Sequence, residues 1–468
     1  MIKKFLYTSI FLLCFSLTAK TDKSSQTFLF TRPTHQNLGL SQVFWFGVPL
    51  NKDQKTGVRI NASYQDSRKA DRIKQYFLPI DKAAVKIHNT ATDKNALPVW
   101  FGLPDGFSGN VNFAPEQKQI GGTIDVRRII GPLFGIKFAK DWWVQLTVAA
   151  AKVENNLKLT QSNVQNAAAN TLAVYDIVTA FKNPDWTYLK IDGERSRSGL
   201  SEVRLTLGST FVSNGRAYAS SYSAISLPGK GSTSNAYMFD SQVGFNKHVG
   251  IIWGINMQAP LTREEEKHLV TFNINLESNF LIRNYQHRTF DLKDKEWSRY
   301  LLMRHKDETG TATVPGVNVL THKVRVSPHA LVDFTTSLRA TRGYFQGEVG
   351  YGLWAHGGES VKITDTHKWI EEYQIAGTAG ARWASDATII SRGTDSATFT
   401  AIKESDLDLD SCSQLAAAIH RIHIYGNLQS KQSTRNMHAG LGAFVEMPRN
   451  ETKALSTYGV WFNAGGSF

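Results

Sequence analysis

The sequence predicts an all-β protein, an antiparallel transmembrane β-barrel of about 12–16 strands with short helices in its loops. Three observations predict this fold. Long segments alternate apolar and polar residues, long polar connections separate them, and no stretch after the N-terminal region is apolar enough to form a membrane helix. The mean hydropathy of −0.28 agrees with a barrel, because only every second strand residue faces lipid.

The clearest alternation begins at Val270 and continues for about a dozen residues, a length that suits a tilted membrane strand. Phe272 and its apolar companions share one face, whereas Asn273, Asn275 and Glu277 share the other. The segments Val58–Gln65 and Val203–Gly208 repeat this pattern. The polar side chains predicted to face the lumen are Arg59, Asn61, Arg204, Asn273, Asn275 and Glu277.

Further strands are predicted from the same alternation and from turn signals between the segments. They lie at 119–129, 142–152, 216–226, 237–245, 249–257, 332–338, 345–353, 372–383, 419–429, 436–447 and 457–468. The turn Asn246–His248 is predicted to join two of them as a hairpin, and another turn is predicted near Arg339–Gly343.

The connections predicted to be long are 66–117, 154–199, 284–323 and 384–418, and the others are short. Long loops at one end and short turns at the other are typical of membrane barrels. Short helices are predicted at Asn166–Ala173, which is rich in alanine, and at Ser411–Ile419, which follows a run of acidic residues.

The N terminus has the pattern of a secretory signal peptide. Lys3 and Lys4 precede the apolar stretch Phe5–Leu17, and Ala19 is a small residue at the expected cleavage position. Residues 1–19 are therefore predicted to be a cleaved signal, with an uncleaved anchor as the alternative. Residues 20–50 are predicted to be an N-terminal segment, either a plug or a first strand, and residues 51–468 a single barrel domain.

The composition excludes several classes of function. Cys412 is the only cysteine left after the signal, which excludes a disulfide framework and a cysteine-based zinc site. The formal net charge of +13 falls by two, to +11, when Lys3 and Lys4 are removed. No nucleic-acid-binding pattern accompanies this charge, so no nucleic acid is expected as a partner. A weak attraction to anionic surfaces or solutes is the better inference.

No motif marks a catalytic or metal site, so neither an enzyme nor a cofactor or metal is predicted. Asp406, Asp408 and Asp410 have the spacing of the first EF-hand ligands, but the glycine and glutamate of that loop are missing. His420 and His423 are three apart, which places them on opposite faces of a strand.

The final strand carries the resemblance to a known family. Tyr458, Val460, Phe462 and Phe468 stand at every second position, and this ending resembles the sorting strand of bacterial outer-membrane β-barrels. The resemblance implies recognition by the barrel-assembly machinery and a place among the lipids of the outer membrane of a Gram-negative-type bacterium. The segment from Ser405 to the C terminus is also similar to uncharacterised barrels of endosymbiont-like bacteria.

The sequence leaves three functions open. The first is a porin-like passive channel for small solutes, with a slight preference for anions because of the positive net charge. The second is a surface or structural barrel that acts through its long loops as an adhesin or in host contact. The third is a transporter of hydrophobic compounds in which Thr27–Pro49 is folded inside the barrel as a plug. The oligomeric state is not predicted.

Overall fold

The computed structural model of the chain describes most of its residues, with gaps at the N terminus and in several connections. The described residues are 25–37, 55–78, 84–88, 96–104, 106–131, 141–165, 176–213, 216–229, 234–263, 268–308, 312–376, 399, 401–431 and 436–468. The predicted signal peptide and the predicted helix Asn166–Ala173 lie outside these ranges.

Twelve strands form one closed antiparallel sheet, in which neighbours in the barrel are neighbours along the chain. In chain order they are β1 (Thr56–Arg68), β2 (Glu116–Ile129), β3 (Trp142–Asn156), β4 (Glu194–Ser213), β5 (Tyr218–Pro228), β6 (Gly250–Pro260), β7 (Leu269–Leu281), β8 (Leu331–Arg342), β9 (Phe345–His356), β10 (Ala417–Lys431), β11 (Asn436–Pro448) and β12 (Ser456–Ser467). Pairing of β12 with β1 closes the sheet. The structure thus confirms the predicted fold class and sets the strand number at twelve.

The barrel wall is apolar outside and polar inside. On β1, Ile60 is 53% exposed whereas its neighbour Arg59 is 2% exposed. The same contrast holds on β4, where Leu205 is exposed and Arg204 is buried. Because consecutive strand residues face opposite sides, this alternation gives a lipid-facing apolar surface and a polar interior.

Glycines let large inward-facing rings lie flat against the wall. Trp461 on β12 pairs with Gly442 on β11, and Trp143 on β3 pairs with Gly208 on β4. A Cβ atom at either glycine would overlap the facing indole ring. The absence of a side chain at these positions therefore makes room for the ring of the neighbouring strand.

The two ends of the barrel differ in the length of their connections. At the end that holds the start of β1 and the end of β12, the strands are joined by 130–141, 214–217, 261–268, 343–344 and 432–435. At the other end the connections are 69–115, 157–193, 229–249, 282–330, 357–416 and 449–455. We call this second set the loop layer and the barrel end beneath it the mouth.

The loop layer has its own hydrophobic core. The cluster joins buried residues from all six of its connections, among them Ile73, Phe181, Met238, Phe290, Ile370 and Leu455. Aromatic contacts hold it together, such as Trp186 to Tyr300 with ring centres 4.9 Å apart. Burial of each large apolar side chain contributes about 1.5–3 kcal/mol, so the loops form a packed layer.

Short elements fill the loop layer. Its strands are Ala84–Ile87, Ser108–Asn112, Thr160–Gln165, Asn284–Thr289, Asp291–Leu292, Leu302–His305, Val314–Pro315, Thr321–Ser327, Ser360–Lys362, Tyr373–Ile375 and Leu407–Asp408. The α-helices of the described residues are Thr34–Asn37, Ala70–Ile73, Ile177–Ala180 and Gly316–Val319. Single 3₁₀ turns lie at Lys74–Tyr76, Pro98–Phe101, Ser298–Tyr300, Trp369–Glu372, Glu404–Asp406 and Leu409–Cys412. None of the helices in the described ranges has the length and apolarity to cross a membrane.

Several predictions from the sequence are wrong, most of them in the loop layer. The strand at 237–245 is loop, because Phe239, Val243 and Phe245 are buried in packed connections and imitate a strand pattern. At 372–383 only the short strand Tyr373–Ile375 forms among the described residues. The helix at 411–419 is a 3₁₀ turn that ends at Cys412, followed by β10. The predicted turn at Arg339–Gly343 begins later, because β8 continues to Arg342.

Candidate functional site

Residues 25–37 lie across the barrel mouth, and we call them the mouth segment. The Arg32 carbonyl accepts a hydrogen bond from Gln119 Nε2 at 3.3 Å, which holds the backbone against β2. Four residues farther on, Gln36 Oε1 accepts one from Trp354 Nε1 on β9 at 3.0 Å. Since β2 and β9 belong to different sides of the twelve-stranded ring, the segment crosses the mouth from wall to wall.

The guanidinium group of Arg32 joins two strands of the wall, and its backbone carbonyl contacts a third. Nη1 donates to Glu446 Oε1 on β11, and Nη2 donates to Asp333 Oδ2 on β8. The side chains of Arg32 and Glu446 are 3% and 1% exposed. Strand β8 is six positions from β2 in the ring, so this single residue contacts walls that face each other. Hydrogen bonds between two charged groups are about twice as strong as neutral ones.

His35 adds a second polar contact to the wall. Its Nε2 lies 2.6 Å from Glu202 Oε2 on β4, and both side chains are buried. The imidazole meets the ring of Phe245 edge-on, with centres 5.4 Å apart. Two basic side chains of the mouth segment therefore contact carboxylates of three strands.

Phe30 is held among aromatic rings at the top of the barrel. Its ring centre lies 6.3 Å from that of Phe245, 6.2 Å from that of Trp354 and 6.0 Å from that of His356. These separations are typical of attractive aromatic pairs. The apolar contact adds to the polar contacts of Arg32 and His35.

The first residues of the mouth segment are attached to the loop layer. Thr27 Oγ1 donates to the Thr289 carbonyl at 2.9 Å, and Arg299 donates to Ser25 Oγ. Arg299 also pairs with Asp291 at 2.9 Å, with both side chains at most 1% exposed. Burial raises the pKa of the Asp291 carboxyl, and Arg299 acts in the opposite direction. The segment is thus attached at one end to the loops and at the other to the wall.

Six charged wall residues surround the mouth segment, and we call them the mouth ring. They are Glu202, Arg204, Glu277, Asp333, Arg421 and Glu446. Arg204 lies 2.7 Å from Glu202 and 3.1 Å from Glu277. Tyr222 donates from its hydroxyl to Glu277 Oε2 at 2.8 Å. Arg421 lies 3.4 Å from Asp333 and 3.7 Å from Glu446.

A second group of charges lies on the wall away from the mouth, and we call it the lower layer. It comprises Arg59, Asp125, Arg127, Arg339 and Glu348. Arg59 donates to Asp125 Oδ2 from Nε at 3.0 Å and from Nη2 at 2.9 Å. Arg339 Nε donates to Glu348 Oε2 at 3.1 Å. In this layer each carboxylate pairs with an arginine of the wall.

The residues predicted to line the lumen are all buried on the inner side of their strands. Arg59, Asn61, Arg204, Asn273, Asn275 and Glu277 are 2, 2, 6, 0, 2 and 9% exposed. The structure brings Arg204 and Glu277 together in the mouth ring and places Arg59 in the lower layer. Asn273 lies near Ser337, with 3.4 Å between Nδ2 and Oγ.

The residues assigned to the sorting strand face outward on β12. Tyr458, Val460 and Phe462 are between 45% and 47% exposed, and Phe468 is 60% exposed. The backbone N–H of Phe468 donates to the Thr56 carbonyl at 2.9 Å, so the last residue pairs with the first strand at the barrel seam.

Two histidines of β10 lie on opposite faces of the wall. Tyr351 OH lies 2.7 Å from His420 Nδ1 on the outer face. His423 Nε2 lies 3.3 Å from Glu348 on the inner face. In the loop layer, the Asp408 and Asp406 carboxylates accept backbone N–H groups of Asp410 and Lys403. Within the described ranges, no cluster of three or more His, Cys, Asp or Glu side chains is arranged to hold a metal ion.

Sequence reasoning missed Glu202, Asp333, Arg421, Glu446 and the basic residues of the mouth segment. Each wall residue stands at an inward position of its strand, so extending the alternation over β8, β10 and β11 would have found Asp333, Arg421 and Glu446. Nothing in the sequence reveals that Arg32 contacts a glutamate 414 positions later.

No family model matches the chain, and no curated protein matches it. Among solved structures, it is similar to an outer-membrane channel from Pseudomonas putida F1, with 9% identity, a TM-score of 0.40 and coverage of 90% of this chain and all of that one. It is similar to the translocator domain of the autotransporter NalP from Neisseria meningitidis, with 8% identity, a TM-score of 0.30 and coverage of 93% and 96%. It is also similar to a FadL homologue from Pseudomonas aeruginosa, with 8% identity, a TM-score of 0.29 and coverage of 88% and 90%.

The fold defines the class: this chain is an antiparallel transmembrane β-barrel of twelve strands. At sequence identities this low, the similarity to these structures concerns the fold alone. The function therefore has to be inferred from the residues of this chain.

Proposed function

We propose that the protein is a channel of the bacterial outer membrane for small polar solutes, and that the mouth segment closes it. The observation that carries this proposal is Arg32, which spans the mouth and bonds Asp333 and Glu446. Noncovalent contacts of this kind hold a segment in place and still allow it to leave. A closed channel with a removable segment accounts both for the burial of the side chains that line the lumen and for the charges on the wall.

The polar wall favours a polar solute over a hydrophobic one. The inward side chains of β7 include Asn273, Asn275 and Glu277, and those of β2 include Thr123 and Asp125. A polar solute can exchange hydrogen bonds with these side chains as it passes, whereas a hydrophobic solute offers them none. This supports the channel for polar solutes over the transporter of hydrophobic compounds.

The apolar outer surface supports a place in a membrane. Exposed Ile, Leu, Val and Phe side chains recur at every second position around the barrel, and in water such a surface would promote association. The loop layer would face outward and the short turns the periplasm, as in other barrels. Export through a cleaved signal peptide and assembly through the final strand belong to this proposal. Protease cleavage of loop-layer sites on intact cells would test the orientation.

Conductance of the purified protein in planar bilayers tests the channel. The comparison uses the complete mature chain and a variant with Arg32→Ala, His35→Ala and Gln36→Ala, which we call the released variant. It keeps the attachment of Ser25 and Thr27 to the loop layer. We expect the wild-type protein to be mostly silent and the released variant to give stepwise currents.

A matched control is Arg72→Ala, since Arg72 is an exposed arginine of the loop layer. This variant should remain as silent as the wild type. Two results would overturn the proposal: wild-type protein that conducts as well as the released variant, or a folded released variant and a folded deletion of residues 25–37 that never conduct.

The packed loop layer favours a second candidate, a surface barrel that acts through its loops. Its core contains residues of all six connections, which presents a fixed outer surface to a partner. This candidate predicts that the folded released variant remains silent, so the same recordings separate the two functions.

A further inference from the structure

We propose that the mouth ring contains a binding site for small organic cations of the guanidinium type, and that Arg32 occupies this site while the barrel is closed. This inference rests on the proposed channel and names the class of solute that its mouth selects. The site consists of Asp333 and Glu446, with Trp354 beside them.

The geometry of Arg32 shows what the site accepts. Its two terminal nitrogens contact two carboxylates on two strands, so the pair of acids receives one planar, forked cation. The guanidinium carbon lies 5.7 Å from the ring centre of Trp354, within the range of cation–π attraction. A free guanidinium group of similar size fits the same three partners.

The charges of the mouth ring require an added cation. The ring has four carboxylates, whereas its only cations are Arg204 and Arg421. Arg204 already binds Glu202 and Glu277, and Arg421 lies between Asp333 and Glu446. Burial of unpaired carboxylates is strongly unfavourable. Withdrawal of Arg32 leaves Asp333 and Glu446 to share one guanidinium group, and a cationic solute would restore the balance.

The lower layer lacks this excess of carboxylates. Asp125 is paired with Arg59, Glu348 is paired with Arg339, and Arg127 adds a further positive charge. A cation therefore meets its strongest site at the mouth. The positive charge of the whole chain predicts a weak preference for anions, but the local excess of carboxylates governs the first contact of a solute with the pore.

Methylguanidinium is a suitable probe, and urea is its neutral planar analogue. In the released variant, which lacks the Arg32 side chain, millimolar methylguanidinium should reduce the current in a saturable manner, whereas urea at the same concentration should not. Adding Glu446→Gln should weaken this block by about tenfold or more, because a charge-assisted hydrogen bond is lost. Adding Glu348→Gln in the lower layer instead should leave the concentration dependence of the methylguanidinium block unchanged.

A binding measurement makes the inference testable without current. Methylguanidinium should raise the melting temperature of the folded Arg32→Ala variant above that seen with urea, and Glu446→Gln should remove this shift. Arg32→Gln serves the same purpose if the alanine variant does not fold. Absence of both saturable block and thermal shift in conducting protein overturns the cation site and leaves the channel standing. Folded variants that never conduct overturn the channel and with it this inference.

Discussion

Glu277 on β7 and Asp333 on β8 lie directly opposite each other in the register of the two strands. Arg204 binds Glu277 at 3.1 Å, and Arg421 lies 3.4 Å from Asp333 on the other side. Two like charges on neighbouring strands repel each other, so each depends on a separate arginine. This arrangement makes the mouth ring one coupled network of charges rather than a set of independent pairs.

Loss of Arg204 should therefore destabilise the barrel strongly. Arg204→Met leaves Glu202 and Glu277 buried without their guanidinium partner, and removal of one partner of a buried pair costs about 3–5 kcal/mol. Urea unfolding, followed by the heat-dependent shift on gels that reports a folded barrel, measures this change. Arg342→Met, at the exposed end of β8, is the control and should unfold like the wild type. Equal stability of the two variants would contradict a coupled mouth ring.

Gly442 should tolerate no side chain, because the indole ring of Trp461 occupies the space of a Cβ atom. Gly442→Ala forces the ring away from the wall, and overpacking of this kind costs about 1–3 kcal/mol. The matched control is Gly426→Ala, where a Cβ would meet nothing within 4 Å. The unfolding midpoint in urea checks the difference, and a midpoint of Gly442→Ala at or above that of the control would count against the flat packing of the ring.

The alternation of apolar and polar residues in the sequence identified the strands of the barrel wall. It could not distinguish an apolar side chain that faces lipid from one that packs inside a loop. The sequence predicts two strands in excess of the barrel, 237–245 and 372–383, and both fall in the loop layer. Phe239 and Phe245 are apolar because they pack beneath other loops, and the two-residue pattern carries no information about what covers a residue. The mouth was harder to predict, since Arg32 and Glu446 meet only after the barrel has closed.

The loop layer should loosen at mildly acidic pH through His248. Burial lowers the pKa of His248 from its ordinary value of 6.5. Its Nδ1 lies 2.8 Å from the Ile282 carbonyl, and its Nε2 lies 2.8 Å from the amide nitrogen of Gln286. Because Gln286 Oε1 accepts a hydrogen bond from Arg288, the amide nitrogen of Gln286 is the atom that faces His248. This nitrogen donates to Nε2, which can accept only when the imidazole is neutral.

The direction of the pH effect follows from this lowered pKa. A histidine that prefers to be neutral in the folded state contributes its full stability above pH 6.5, and this contribution is lost as the pH falls towards the folded-state pKa. Hydrogen exchange of residues 234–249 should therefore accelerate between pH 7 and pH 5, relative to a His248→Gln variant corrected for intrinsic rates. Identical pH dependence in the two proteins would contradict this role of His248.

The most direct test of the channel locks the mouth segment in place. A Cβ built on Gly121 of β2 would have the Thr34 hydroxyl oxygen as its nearest neighbour. The two side chains are therefore adjacent, and Thr34→Cys with Gly121→Cys brings two sulfur atoms within bonding range. The natural Cys412 is buried in the loop layer and does not compete. The pair is introduced into the released variant, with Thr34→Cys alone as the control, and conductance is recorded in planar bilayers. We expect silence while the disulfide is oxidised and stepwise current after reduction. Current that is equal before and after reduction, or silence of the folded protein in both states, would contradict a removable mouth segment.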